Sequence, residues 1–337
     1  MKLRATARLR ALIPALALAG CTGWQSAIDV HGASAISLKH LIVVIVATCS
    51  VVWALVIATL IVALWRRREA RESAIALDPR RQRRMTLAVG GAVAATVIVI
   101  SAFTVSSFFT TRQLTAAGAD DLTIKVRGLQ WWWAVEYFGS KPELRFETAN
   151  EIHIPVGRNV RVQLEGLDVI HSFWVPSLAG KQDLIPGRPN EITIRAERAG
   201  VYRGQCAEFC GLQHAHMAFF VVAEEQRAFE AWTALQRDNA VASSDEEVIA
   251  GQRVFLSRPC AACHAIRGTA ANGKTGPDLT HVGGRKYIAA GLLETTRGSL
   301  AAWIADPQTL KPGNNMPMVP LAAEELRSVS AYLASLK

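Results

Sequence analysis

The chain has 337 residues, of which 50% are hydrophobic and 19% charged, and its formal net charge is +9. That surplus would suit a polyanion partner, but residues 1–20 carry +4 and residues 66–84 carry +5, whereas 112–225 come to −2 and 245–337 to +2. Neither long polar segment is a basic binder, so a nucleic-acid role is set aside, and the length leaves room for two soluble modules beside a membrane hairpin.

The N-terminus carries Lys2, Arg4, Arg8 and Arg10, then a short apolar run ending in Leu18-Ala19-Gly20-Cys21. This is signal-peptide architecture over residues 1–20 rather than a membrane span. The last four residues resemble a bacterial lipobox, which implies a mature chain starting at a lipid-modified Cys21 and a periplasmic N-terminal segment over 21–40. Residues 41–65 and 85–111 contain no charge, and each exceeds the ~20 residues a helix needs to cross a bilayer core, so both are predicted transmembrane helices. Cys49 is expected as a small buried hydrophobe in the first, and Trp65 as an interfacial anchor at its end. Between them, residues 66–84 hold eight arginines against Glu69, Glu72 and Asp78. Short Arg-rich loops stay cytoplasmic, which sends everything after the second span to the periplasmic or outer side of a bacterial cell membrane.

From residue 112 the pattern changes to short period-two runs, such as Leu122-Thr-Ile-Lys-Val-Arg and Glu191-Ile-Thr-Ile-Arg, separated by Gly, Pro and Asn. These predict a β-sandwich or barrel over 112–225. Trp131-Trp132-Trp133 is placed on a strand, where neighbours point to opposite faces. At least one indole is therefore expected to be exposed, with Trp133 in the core and Trp132 open to either place. His153, in Glu151-Ile-His-Ile-Pro, is expected on a strand face and not as a ligand.

The stretch Cys206-Ala-Glu-Phe-Cys210-Gly-Leu-Gln-His214-Ala-His-Met217 concentrates soft donors. Thiolate, thioether and imidazole together select copper over magnesium or calcium. A mononuclear blue site needs one cysteine, whereas two on one loop can bridge a pair of coppers, with His171 the best upstream second imidazole. A disulfide between Cys206 and Cys210 is the rival reading, and it leaves His214 and Met217 without a purpose. His216 is expected to point away from the site.

Residues 226–239 read as helical within a linker assigned to 226–244. An all-α domain over 245–337 opens on an expected helix cap at Ser244 with Glu247 three residues on, and closes with an amphipathic helix from Ala323. Cys260-Ala-Ala-Cys263-His264 is the pattern for covalent attachment of c-type haem, with Met316 available to complete a His/Met axial pair on the iron. A redox-active Cys-x-x-Cys is the alternative, and it would require neither His264 nor Met316. Met318 and His281 are weaker candidates for the second axial position.

Together, Asp168-Val-Ile-His171-Ser-Phe-Trp-Val-Pro176, Lys181-Gln-Asp183-Leu-Ile-Pro186-Gly187-Arg188 and the 206–217 loop resemble the CuA domain of cytochrome c oxidase subunit II over roughly residues 30–225. The plan as a whole is similar to the bacterial oxidases whose subunit II carries a fused class I cytochrome c. The resemblance implies a multidomain membrane protein: a two-helix hairpin, a cupredoxin-like Greek-key CuA domain and an all-α cytochrome c domain. It implies His171, Cys206, Cys210, His214, Met217 and the Glu208 carbonyl as ligands of binuclear CuA, and the Glu208 side chain on a magnesium shared with subunit I. Within Gly276-Pro277-Asp278-Leu279, the Pro277 carbonyl is expected to orient His264, and Trp131 to receive electrons from the haem side.

The implied function is electron relay from cytochrome c or another periplasmic donor, through haem c and CuA, to subunit I, in a complex with subunit III. There oxygen is reduced to water with proton translocation. The tether near 240 would make the haem-to-copper encounter intramolecular, at an effective concentration on the order of millimolar. One departure is Gln82, where many relatives have a glutamate associated with proton uptake, so that role is not transferred. Alternative readings are the CuA-containing small subunit of a nitric oxide reductase, and a copper-delivery or electron-carrier lipoprotein.

Overall fold

The computed structural model describes residues 22–69, 79–116, 122–138 and 145–337. The signal peptide, Cys21 with its lipidation, and residues 70–78 of the Arg-rich loop lie outside the described residues.

Helices α1 (Ala33–Glu69) and α2 (Pro79–Ala116) contain the two charge-free runs. At 1.5 Å per residue, their 37 and 38 residues extend about 55 Å each, well past a hydrocarbon core of ~30 Å. Both are long and apolar enough to cross a membrane. Threonine hydroxyls inside them donate to carbonyls one turn back, as from Thr48 to Val44 O (2.9 Å) and from Thr96 to Ala92 O (2.9 Å), which satisfies them in apolar surroundings. Valine, leucine and isoleucine are exposed along both helices. Cys49 is exposed too, not buried as expected, because a helix apolar on all sides has its own surroundings, not a protein core, to cover it.

The next unit begins with strands β1 (Thr123–Leu129), β2 (Trp132–Phe138), β3 (Phe146–Ala149), β4 (Glu151–Pro155) and β5 (Val160–Gly166). It continues with β6 (His171–Trp174), β7 (Gln182–Leu184), β8 (Asn190–Ile194), β9 (Gly200–Cys206) and β10 (Ala218–Glu224). Among the described residues these form two five-stranded sheets, ordered β3-β2-β1-β5-β8 and β4-β10-β9-β6-β7. Alternation explains the layering. In β1, Ile124 and Val126 face inward, while Lys125 and Arg127 face out to Glu165 (2.7 Å) and Glu147 (2.8 Å). Trp133, Phe173 and Phe219 fill the space between the sheets in edge-on and stacked contacts. This is the cupredoxin-like sandwich. Residues 226–244 are not a bare linker: α3 (Gln226–Arg237) packs Phe229 and Trp232 onto the sandwich core.

The helical part contains α4 (Glu246–Ser257), α5 (Cys260–Cys263), the hairpin β11 (Tyr287–Ile288) and β12 (Leu293–Glu294), α6 (Arg297–Ala305), α7 (Pro307–Leu310) and α8 (Ala323–Ser335). Asp245, not Ser244, caps α4, accepting from the amides of Glu247 (2.8 Å) and Val248 (3.2 Å). It is the last extended residue before the helix, so its short carboxylate is the one in reach. Helices α4 and α8 touch at Gly251, where a Cβ would lie 2.0 Å from the Ser328 carbonyl, so only glycine permits that approach.

The cytochrome-like part packs directly on the sandwich. The Ala218 amide donates to Ala290 O (3.0 Å), and the Lys286 amide donates to the Glu151 carboxylate (2.8 Å). Glu151 also holds His153 at 3.0 Å, Glu224 lies 3.3 Å from the other ring nitrogen, and Trp232 stacks on the imidazole at 3.9 Å. Thus His153 faces inward as a buried partner of two carboxylates. Burial opposes its charge, but the bonds to Glu151 and Glu224 carry its pKa above the ordinary value. Burial likewise opposes charge on Glu151, and the His153 bond outweighs it and lowers that pKa.

A raised histidine stabilises the fold fully below its ordinary 6.5 and loses that contribution as pH climbs through its folded value. A lowered glutamate contributes fully above 4.5 and loses it as pH falls through its folded value. The pair is therefore worth most between those limits. We predict that His153→Leu costs about 2 kcal/mol in urea unfolding near pH ~5.5 and distinctly less near pH ~9.5; an equal loss at both would show that the ion pair contributes nothing.

Candidate metal centres

His171 opens β6 and Cys206 closes β9, and the pairing of Phe173 with Cys206 aligns those two strand ends. After Cys206 the chain leaves the sheet for a loop and a 3-10 turn (His214–His216) before β10 begins. Ligand candidates far apart in sequence thus converge at one end of the sandwich. From His171 Nδ1 to Cys206 Sγ is 3.8 Å, from Cys206 Sγ to Cys210 Sγ 3.7 Å, from Cys210 Sγ to His214 Nδ1 3.6 Å, and from Cys210 Sγ to Met217 Sδ 3.8 Å. Glu208 O lies 3.2 Å from Cys206 Sγ. His171, Cys206, Cys210 and Met217 are buried. His216 is exposed, as expected, and its ring bonds Gln213.

The sulfurs are well beyond the ~2.0 Å of a disulfide. They are also close enough for metal–thiolate bonds of ~2.3 Å to reach both from one ion. Their proton chemistry favours a cation. The Cys210 thiol bonds Cys206 and, with His171, pulls the Cys206 pKa down to about 4, while that same contact and burial push Cys210 far up. One thiolate forms readily, and a second beside it needs positive charge between them. Asp168 Oδ1 holds His171 Nε2 at 2.7 Å, leaving Nδ1 toward the sulfurs, which is the carboxylate–imidazole support typical of metal ligands. Burial opposes charge on His171, and the Cys206 and Asp168 bonds raise its pKa despite it. The Glu208 side chain is half exposed and accepts from Lys181 Nζ at 3.2 Å.

Between the helical part and the sandwich turn at 130–132 is a largely apolar cavity of about 220 Å³, lined by Cys260, Cys263, His264 and Met316 among others. His264 Nδ1 is 2.8 Å from Pro277 O, so this nitrogen donates and Nε2 is the one free to bind iron. Burial lowers the His264 pKa, keeping the ring neutral as a ligand must be. A Cβ on Gly276 would sit 2.6 Å from His264 Cε1, which explains glycine there. Arg285 lines the cavity and keeps a buried, unpaired Nε, a feature suited to the carboxylates of a haem. His281 instead bonds the carbonyls of Lys337 and Asp238, away from the cavity lining, and Met318 is exposed.

The tryptophans correct one expectation. Trp131 precedes β2 in a turn, and none of the three indoles is exposed: Trp131 and Trp133 are buried and Trp132 is half-buried. Trp131 is covered because the 311–316 segment lies over it, while its indole N–H donates to Cys210 O at 2.9 Å. Trp131 and Trp132 both line the same cavity as His264 and Met316. Sequence reasoning did not single out Asp168, Arg285 or Lys311. Asp168, three residues before His171, was the one with a readable signal.

Residues 122–224 match the family described as cytochrome c oxidase subunit II, periplasmic domain, and residues 248–337 match cytochrome c. Cytochrome c oxidase subunit 2 of Alkalihalophilus pseudofirmus is 41% identical over 65% of this chain, which spans 63% of that relative's length. The subunit 2 protein of Cereibacter sphaeroides is 30% identical, with 63% of this chain covering 79% of it. The solved periplasmic domain of oxidase subunit II from Bradyrhizobium japonicum is 36% identical, covering 36% of this chain and 96% of that one with a TM-score of 0.34. With two apolar helices, a copper-type donor cluster on a cupredoxin-like sandwich and a cytochrome c domain, this chain belongs to the cytochrome c oxidase subunit 2 family.

Proposed function

We propose that this chain is the electron-accepting subunit of an aerobic respiratory oxidase in a bacterial cell membrane, with its own cytochrome c as immediate donor. The observation that carries the reading is Trp131, which bonds the copper-type loop through Cys210 O and lines the cavity that also holds Cys260, Cys263, His264 and Met316. When bound, binuclear CuA and haem c supply reversible one-electron chemistry, taking electrons from a periplasmic donor toward subunit I, where oxygen is reduced and protons are moved.

In this reading His171, Cys206, Cys210, His214 and Met217, with the Glu208 carbonyl, would hold the copper pair. Cys260 and Cys263 would form the covalent haem links, with His264 and Met316 on the iron. The Glu208 carboxylate, now on Lys181, would be offered to magnesium at the subunit I border. Asp168 holds the His171 tautomer, and Pro277 does the same for His264. Burial of both centres lowers the local dielectric and keeps water off the donors. Trp131 is the residue through which electrons would pass from the haem side. In this reading the two apolar helices would cross the membrane and leave both centres on the outer side, Cys21 would be a lipid anchor, and subunit III would be a further neighbour.

The test is metal content and EPR on the full chain, matured with haem and loaded with copper. Two coppers per haem with one electron shared over both are expected, and Cys210→Ser should abolish that shared signal while the haem spectrum persists. One copper per haem with a blue-copper spectrum in the unaltered chain would sink the assignment. A separate variant addresses the haem pocket. Gly276→Ala should drive a methyl into the His264 ring and lower haem-iron ligation by at least about tenfold in yield, read from the absorption band of the low-spin iron, with copper content unchanged.

A further inference from the structure

Lys311, five residues before Met316, is 3% exposed, and its Nζ has no carboxylate within ion-pair distance among the described residues. Instead it donates to three main-chain carbonyls from three separate segments. They are Trp131 O (2.7 Å) in the turn before β2, His216 O (2.9 Å) in the copper-type loop, and Ala289 O (3.3 Å) in the β11–β12 hairpin. An ammonium has three N–H bonds, and this site uses all of them. Burying such a group is expensive unless its donors are hydrogen-bonded, as all three are here.

Two further observations point to the same seam. Ala289 and Ala290 both have φ in the left-handed region, 53° and 58°, which costs a non-glycine residue free energy and marks a constrained position. That conformation presents Ala289 O to Lys311 and Ala290 O to the Ala218 amide. Around the rim, Gln213 Nε2 donates to Pro312 O (2.7 Å) and Asn315 Nδ2 to Gln130 O (3.3 Å). The segment that carries Met316 is thus fastened to the turn that carries Trp131 and to the loop that carries Met217.

We propose that Lys311 is a positioning residue that clamps the cytochrome c domain onto the copper-loop face, so that electrons pass from a docked donor rather than from one that swings on its tether. This rests on the relay proposed above. The seam is main-chain to ammonium, so it holds the two centres in one relative placement and removes the search that a flexible linker would require.

The experiment compares the unaltered full chain with Lys311→Met, which keeps the side-chain length and removes every donor, and Gln213→Ala, which opens the rim without touching a buried charge. Hydrogen exchange at the Ala218 amide, which bonds Ala290 O across the seam, needs no metal and should accelerate about tenfold in Lys311→Met and by a smaller factor in Gln213→Ala. In the loaded chain, haem-to-copper transfer after flash reduction should slow about tenfold in Lys311→Met and by a smaller factor in Gln213→Ala, the latter with the copper EPR spectrum and both reduction potentials unchanged. Unchanged exchange with an unchanged rate overturns the proposal. A shifted copper potential without faster exchange also overturns it, since Lys311 would then act by charge alone. If Lys311→Met does not accumulate, Gln213→Ala decides by the same two readouts. Absence of a shared-electron copper spectrum in the unaltered chain would remove the relay reading, whereas the exchange result stands regardless.

Discussion

Two thiol groups held 3.7 Å apart at a buried loop end oppose each other's ionisation, and a cation between them would relieve that opposition. That constraint organises the sandwich end. Strand β9 must deliver Cys206 beside the start of β6, where His171 is pinned by Asp168. The loop must then turn back within a few residues to bring His214 and Met217 to Cys210. The sheets behind it supply rigidity, with Trp133 and Phe219 fully buried beneath the site. A fold with a looser end would leave the donors free to seek other partners, including each other as a disulfide.

The second constraint is proximity of the cytochrome c domain. It is met not by the linker but by a packed seam in which a buried ammonium and several main-chain bonds join the two parts. Trp131 lies in that seam, bonded to the copper-type loop on one side and bordering the cavity lined by His264 and Met316 on the other. The Glu151–His153–Glu224 group fastens a different part of the contact through the Lys286 amide. Polar groups carry both fastenings, and such contacts discriminate among relative placements more sharply than apolar area does, because a small slip leaves buried donors unpaired.

Burial sets the chemistry of the individual candidate ligands as well as their positions. His264 is kept neutral by desolvation, and its Nδ1–H bond to Pro277 leaves the opposite nitrogen available. Lys311 feels the same desolvation but is surrounded by acceptors. Desolvation brings its pKa down to about 7, yet the three carbonyls around it match the three N–H bonds of the charged form.

Much of the candidate site was legible from the chain alone, since soft donors crowded into twelve residues and Cys-x-x-Cys-His with a later methionine are local patterns. Helix and strand periods also revealed the membrane hairpin and the change from sandwich to helices. The misses share a cause. Trp131 was expected near the surface because a strand pattern says nothing of a neighbouring domain resting on it. Ser244 was preferred over Asp245 because one-residue shifts in a cap depend on backbone angles. Cys49 was assigned to a core that a doubly apolar helix does not have.

Lys311 was invisible, since its partners are carbonyls, which every residue possesses and no sequence pattern marks. Residue chemistry and spacing, which are properties of the chain, therefore determined which metals and which class of protein to expect. Which residues face one another across two domains, and with what burial, was decided only by the tertiary packing, because desolvation and main-chain hydrogen bonds between distant segments exist only once those segments meet.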